Sequence, residues 1–194
     1  MTLPLDAVLL AAGRSERMGR DKALLDIGGV PLWRRQRAVL ADAGAERVFL
    51  SARADQPWVG DAAAEFAGVA ADPVAGAGPL AGIVVALEVS KAPRLAVLAI
   101  DLPAMEARWF RALAAQCPAG AGAVGRRGDF FEPLAAIYPR ELLPAARAAL
   151  AGGELSLQRL LAAAERGGLM RVVEIAPADA GLFANWNAPE AQKK

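Results

Sequence analysis

The sequence predicts an α/β fold around a mostly parallel sheet, on three observations. Apolar runs of strand length occur at 7–10 (AVLL), 47–51 (RVFLS) and 94–100 (RLAVLAI). Helical stretches lie between such runs. The first fifty residues read strand, loop, helix, strand, which is the repeating unit of a parallel sheet. At 194 residues the chain is long enough for one full domain with a sizeable core and short for two. We therefore expect one domain over residues 1–194.

The elements follow in order. The run at 7–10 is flanked by Asp6 and Gly13 and reads as a buried strand. A brief apolar stretch at 23–27 ends in a Gly28-Gly29 turn. Pro31 suits a helix start, Leu32, Gln36, Val39, Leu40 and Ala43 follow near helical spacing, and Gly44 supplies a stop. Residues 57–67 read as a loop with a short helix, 68–71 as a third strand, and 80–89 as an apolar helix. The run at 94–100 has the look of a central strand buried on both faces. Further strands are expected at 122–125, 134–138 and 171–175, with a turn at 126–129. Helices are expected around Trp109 and Leu113, at 141–151, and at 155–166, the last two separated by Gly152-Gly153.

The stretch from Ala11 to Lys22 carries the first functional signal. Ala11, Ala12 and Gly13 have no bulky side chain, so a ligand has access to the backbone. Arg14, Arg17, Arg20 and Lys22 then place four cations in nine residues. Backbone donors with Arg and Lys are what phosphates require. The alternative is an ordinary strand and turn with a solvated basic face. It is not a Walker A loop, because Ala23 follows Lys22, nor a dinucleotide fingerprint, because only Gly13 and Gly19 fall in the window. Asp101 follows the central strand, at the edge where α/β sheets take ligands. Read alone, it is either a ligand-binding acid or the cap of the next helix, with Pro103 inside that helix's first turn.

Composition narrows the chemistry. The net charge is +1, so nothing points to nucleic acid or a membrane surface as partner. Against that balance, residues 14–37 hold seven basic and three acidic side chains, an excess directed at a particular anion. There is no histidine, which removes histidine bases, triads and metal ligands. Cys117 is the only cysteine, so a cysteine-based zinc site and an internal disulfide are both excluded. Carboxylates, Lys, Arg, backbone donors and a hard metal remain. The first residues lack the basic start of a secretory signal, and no run of about 18 apolar residues occurs. A cytoplasmic enzyme is the expectation.

The segment at 10–22, L-A-A-G-R-S-E-R-M-G-R-D-K, resembles the signature L-A-G-G-x-S-x-R-M-G-x-D-K of the nucleotidyltransferases similar to molybdenum cofactor guanylyltransferase, the MobA-like family. Ala12 stands in for the first paired glycine. Asp72, G-P-L-A-G at 78–82, D-L-P at 101–103 and N-W-N-A-P-E at 185–190 follow in the family's order and approximate spacing. The resemblance implies a Rossmann-like three-layer α/β/α nucleotidyltransferase fold. It implies transfer of GMP from GTP to the phosphate of a molybdopterin-type cofactor, with pyrophosphate released. A related transferase using CTP or another phosphorylated acceptor stays open, as does a non-catalytic nucleotide-binding regulatory protein. Molybdoenzyme-maturation proteins are the implied protein partners.

Carried over by position, the resemblance gives Lys22, Arg17 and Asp101 catalytic roles and makes Asp101 the Mg²⁺ ligand. It assigns nucleotide contacts to Leu10, Ala11, Ala12, Gly13, Lys22, Ser51, Asp72, Gly78, Pro79, Leu80 and Asp101. It puts Asn185 and Asn187 on the acceptor or metal side. Besides Ala12, three positions depart from the family. Ser51 replaces a usual asparagine, Glu132 precedes Pro133 where histidine or glutamine is common, and Ala188 replaces a threonine.

Overall fold

In the computed structural model, residues 4–13, 21–71 and 78–186 are described. The strands in chain order are β1 (Leu5–Leu10), β2 (Arg47–Ala52), β3 (Val69–Ala71), β4 (Arg94–Ala99), β5 (Gly122–Arg127), β6 (Phe130–Phe131), β7 (Ala135–Pro139) and β8 (Met170–Glu174). The α-helices are α1 (Leu32–Asp42), α2 (Trp58–Ala62), α3 (Gly78–Val89), α4 (Ala107–Gln116), α5 (Leu143–Ala151) and α6 (Leu157–Arg166).

β1 and β4 are buried along their whole lengths, as near-continuous apolar sequence dictates for the middle of a parallel sheet. The sheet order is β3-β2-β1-β4-β7-β5-β6, with β8 on β5. β1 pairs in parallel with both β2 and β4, and β3 extends that parallel half. β7 runs antiparallel to β4, β5 antiparallel to β7, and β8 parallel to β5. Alternation along the strands divides the core. Leu9, Leu50 and Leu98 face Leu32, Leu40 and Phe110 of α1 and α4. Val8, Phe49 and Val97 face Leu80, Ile83 and Leu87 of α3, with α5 and α6 alongside. The three-layer α/β/α expectation therefore holds.

Two sequence boundaries move for physical reasons. The strand expected at 122–125 continues to Arg127, and Phe130–Phe131 folds back on it, so the turn at 126–129 shrinks to Gly128-Asp129. Apolar patterning stops at Gly125, but the backbone ladder continues through residues with charged side chains. Arg126 bonds Glu174, and Arg127 bonds Glu132. The Gln158 side chain accepts from the Phe131 N–H (3.0 Å) and donates to its carbonyl (2.9 Å), standing in for a neighbouring strand. The second change is at α3, which starts at Gly78 rather than Leu80. Gly78 has a φ of 64°, and Pro79 sits in the first turn, where its missing N–H costs nothing.

Asp6 lies at the edge of the sheet opposite the β1 C-terminus and is 1% exposed. Its carboxylate accepts from Arg47 (2.6 Å) and from the Ser90 hydroxyl (2.6 Å). Burial alone would push this carboxyl up, but the bonds from Arg47 and Ser90 outweigh it and hold the group below the ordinary range. A depressed folded value stabilises the protein above the unfolded value and ceases to do so as pH falls through the folded one. Urea melts of Asp6→Asn should therefore show a clear stability deficit at pH 7. The gap to the wild-type protein should narrow below about pH 4.

Candidate active site

Parallel pairing brings three chain exits to one edge. β1 leaves through Ala11, Ala12 and Gly13, β2 leaves through Arg53, and β4 leaves into Ile100 and Asp101. The Ala11 N–H still donates to the Ser51 carbonyl (2.7 Å), and the Ile100 N–H donates to the Leu10 carbonyl (3.0 Å). Asp101 is thereby held beside the end of β1. Leu10, Ala11 and Ser51 are buried, Ala12 is half-buried and Gly13 is exposed.

The three carbonyls at the exit of β1 are occupied by side chains from the segment after β2. Gln56 Nε2 donates to the Ala11 carbonyl (3.0 Å). The Arg53 guanidinium donates to those of Ala12 (2.8 Å) and Gly13 (3.1 Å). Acceptor oxygens bound in this way are not presented to an anion. Lys22 opens a short 3₁₀ turn, Lys22–Leu24, capped by Asp21, whose Oδ1 accepts from the Ala23 N–H. Asp21 Oδ2 accepts from Gln56 Nε2 (2.6 Å) and Trp58 Nε1 (2.7 Å). Lys22 is half-buried and, through Asp21 and Gln56, is tied to the same strand end as Asp101.

Asp101 does not cap the next helix. The N-cap of α4 is Glu106, and Pro103 lies outside the helix. Asp101 Oδ2 instead accepts from Asn185 Nδ2 (3.0 Å), and its carbonyl accepts from the Trp186 N–H (3.0 Å). Its other oxygen, Oδ1, is buried and meets no hydrogen-bond partner among the described residues. A buried anionic oxygen left in that condition is strongly disfavoured unless a cation meets it. Among the described residues no group of three metal-ligating side chains occurs. One carboxylate with phosphate oxygens and water is a donor set that suits Mg²⁺ rather than Zn²⁺. The residues present thus fit the implied metal.

Beyond Asp101 the wall is made by the chain entering β7. The Ala99 N–H donates to the Leu134 carbonyl (2.9 Å), which sets Pro133 and Glu132 on this edge. Burial pushes the Glu132 carboxyl up, opposed by the Arg127 guanidinium 3.0 Å away. Phe130, on the same hairpin, is 71% exposed.

Gly78 and Pro79 are exposed at the start of α3, while Leu80 is fully buried. Gly82, the last residue of G-P-L-A-G, is a packing glycine. A Cβ there would meet Ser51 Oγ at 2.5 Å and Leu10 Cδ2 at 3.0 Å, so its absence lets α3 settle onto the ends of β1 and β2. Arg17, Asp72 and Asn187 lie outside the described residues, as do Arg14 and Arg20. Sequence reasoning missed Arg53, Gln56 and Trp58, for which no motif or periodicity gave a signal. It placed Gln36 on α1 only by helical spacing. Gln36 is wholly buried, and its Nε2 donates to the Leu102 carbonyl (2.5 Å), bracing the segment that follows Asp101.

With this geometry in place, comparison with known proteins is informative. The family model of the MobA-like NTP transferase domain matches residues 7–170. The chain belongs to the MobA-like NTP transferase family. A probable molybdenum cofactor guanylyltransferase of Opitutus terrae is 47% identical over 189 residues, covering 96% of this chain and 92% of that protein. A molybdenum cofactor guanylyltransferase of Pseudomonas putida F1 is 34% identical over 196 residues, covering 96% and 95%. Among solved structures, a nucleotidyl transferase of Methanothermobacter superposes with a TM-score of 0.77 at 20% identity, covering 95% of this chain and 92% of that one. The MobA-like fold thus accounts for the shared edge, and nucleotidyl transfer is the family's chemistry.

The contact between Gly82 and Ser51 yields a coupled prediction. Gly82→Ala should destabilise the protein by about 2 kcal/mol through overpacking. Adding Ser51→Ala removes the nearest atom and should recover part of that loss, so thermal melts of the two single variants and the double should be non-additive.

Proposed function

We propose that this protein is a molybdenum cofactor guanylyltransferase, which transfers GMP from GTP to the terminal phosphate of a molybdopterin-type cofactor. The observation that carries the reading is the arrangement around the end of β1. Lys22 is fixed on one side of it, and Asp101 on the other carries a buried carboxylate oxygen without a partner among the described residues. The names of the most similar relatives support the choice of nucleotide and acceptor.

In this reading an oxygen of the acceptor phosphate attacks the α-phosphorus of GTP. The bond from that phosphorus to the bridging oxygen breaks, and pyrophosphate leaves with the electron pair. The nucleophile is already an anion, so no general base is needed, and a chain without histidine is adequate to the task. Charge neutralisation and in-line placement remain for the protein to supply. Ala12 and Gly13 give the nucleotide access to the backbone, with Asp72, Gly78 and Pro79 at its other contacts; Leu10, Ala11, Ser51 and Leu80 are buried and form the floor beneath it. Lys22 and Arg17 neutralise the triphosphate, Lys22 most of all as charge moves to the leaving group. Asp101 would hold Mg²⁺, with Asn185 fixing the carboxylate's orientation. When bound, Mg²⁺ neutralises phosphate charge and orients the oxygens. Glu132 and the hairpin beside it lie on the acceptor's side.

Two experiments test this. Lys22→Ala should lower turnover at least about a hundredfold with an unchanged melting temperature. A turnover within about twofold of wild type would remove Lys22 from the chemistry. In thermal-shift competition, GTP with Mg²⁺ should stabilise the wild-type protein more than CTP with Mg²⁺. Asp101→Asn should lose the Mg²⁺-dependent part of that stabilisation while remaining folded. A larger shift with CTP would identify a cytidylyl transferase.

A further inference from the structure

The segment after β2 touches both ends of the basic stretch, and Gln56 is the residue common to them. Gln56 is 4% exposed. Its Oε1 accepts from the Arg53 N–H (2.7 Å), and its Nε2 donates to the Ala11 carbonyl (3.0 Å) and to Asp21 Oδ2 (2.6 Å). The amide orientation is fixed by chemistry. Reversed, it would set a carbonyl against two acceptors and an NH₂ against a donor. A residue needed only to fill this space would be apolar, since a buried amide is costly unless fully bonded. Here both of the amide's ends are committed, and two of its three bonds go to the two ends of one stretch. Trp58 reinforces the same point. Its Nε1 donates to Asp21 Oδ2, and its ring stacks on Trp33 with centroids 6.1 Å apart.

We propose that Gln56 is a positioning residue for Lys22: through Asp21 it sets the lysine in fixed relation to the end of β1. Asp21 precedes Lys22 directly and caps its turn, so displacing the Asp21 carboxylate displaces the Lys22 backbone. Gln56 itself touches no substrate and acts only through the lysine. The proposal rests on the reading of Lys22 as a triphosphate ligand. It goes beyond that reading in assigning the lysine's placement to an amide thirty-four residues later in the chain.

The test is a double-mutant cycle on nucleotide affinity. Gln56→Met keeps the volume and removes all three side-chain hydrogen bonds. The dissociation constants of GTP·Mg²⁺ and of CTP·Mg²⁺ are measured by calorimetry in four proteins: wild type, Gln56→Met, Lys22→Ala and the double variant. Loss of a bond to a charged partner predicts that Gln56→Met weakens nucleotide binding about tenfold in the presence of Lys22. In the Lys22→Ala background the same change should alter binding less than twofold, because the route through the lysine is gone. In turnover, kcat should fall along with the rise in KM for the nucleotide, because the displaced lysine also serves the leaving group. Trp58→Phe keeps the ring stack and removes one of the bonds to Asp21. It should show a smaller effect of the same pattern, and it decides the matter if Gln56→Met does not fold. Equal weakening in both backgrounds, or none with Lys22 present, would overturn the proposal. Preference for CTP would overturn the guanylyl reading alone, since the cycle is then read on CTP. Failure of the wild-type protein to bind either nucleotide would overturn both.

Discussion

The parallel pairing of β1 with a strand on each side is the constraint from which the site follows. Parallel strands all end at the same edge, so Ala11, Ser51 and Asp101 become neighbours although they are far apart in sequence. The register is pinned because all three strands are buried, and a one-residue slip would turn every core side chain to the wrong layer. Beyond the strand ends, the hydrogen bonds from Ala11 to Ser51 and from Ile100 to Leu10 extend the ladder into the loops. The loops that leave this edge thus start from fixed points.

Much of this was legible in the sequence because it is local. The apolar runs at β1, β2 and β4, the glycine turn at 28–29 and the helix start at Pro31 are dictated by side-chain type and spacing, and Asp101 at a strand end followed from them. What was not legible depends on distance along the chain. Gln56, Arg53 and Gln36 act by hydrogen bonds to backbone carbonyls forty or more residues away, and such bonds leave no periodicity. The β5–β6 hairpin was missed for another reason. Its pairing is carried by backbone and by exposed Arg and Glu side chains, which read as turn residues. Whether Asp101 served a ligand or a helix also needed coordinates. The position of Glu106 at the α4 N-cap removes the helix-cap role.

The acids illustrate how surroundings assign function. Asp6 and Asp101 sit at opposite edges of the same sheet. Asp6 has Arg47 and Ser90 on its carboxylate and belongs to the scaffold. Asp101 has one oxygen held by Asn185 and the other buried with no partner among the described residues. Both lie in or just past a buried central strand, and the donors around each make them opposites.

The switch from parallel to antiparallel at β7 has an evolutionary consequence. On the β1 side of Asp101 the edge is built from buried strand exits, where small changes disturb the core. On the β7 side it is built from the tip of a hairpin, where Phe131 is buried and Gly128, Asp129 and Phe130 face outward. Length and composition can drift there at little cost in stability. That rim can therefore be retuned without rebuilding the half that holds Lys22 and Asp101.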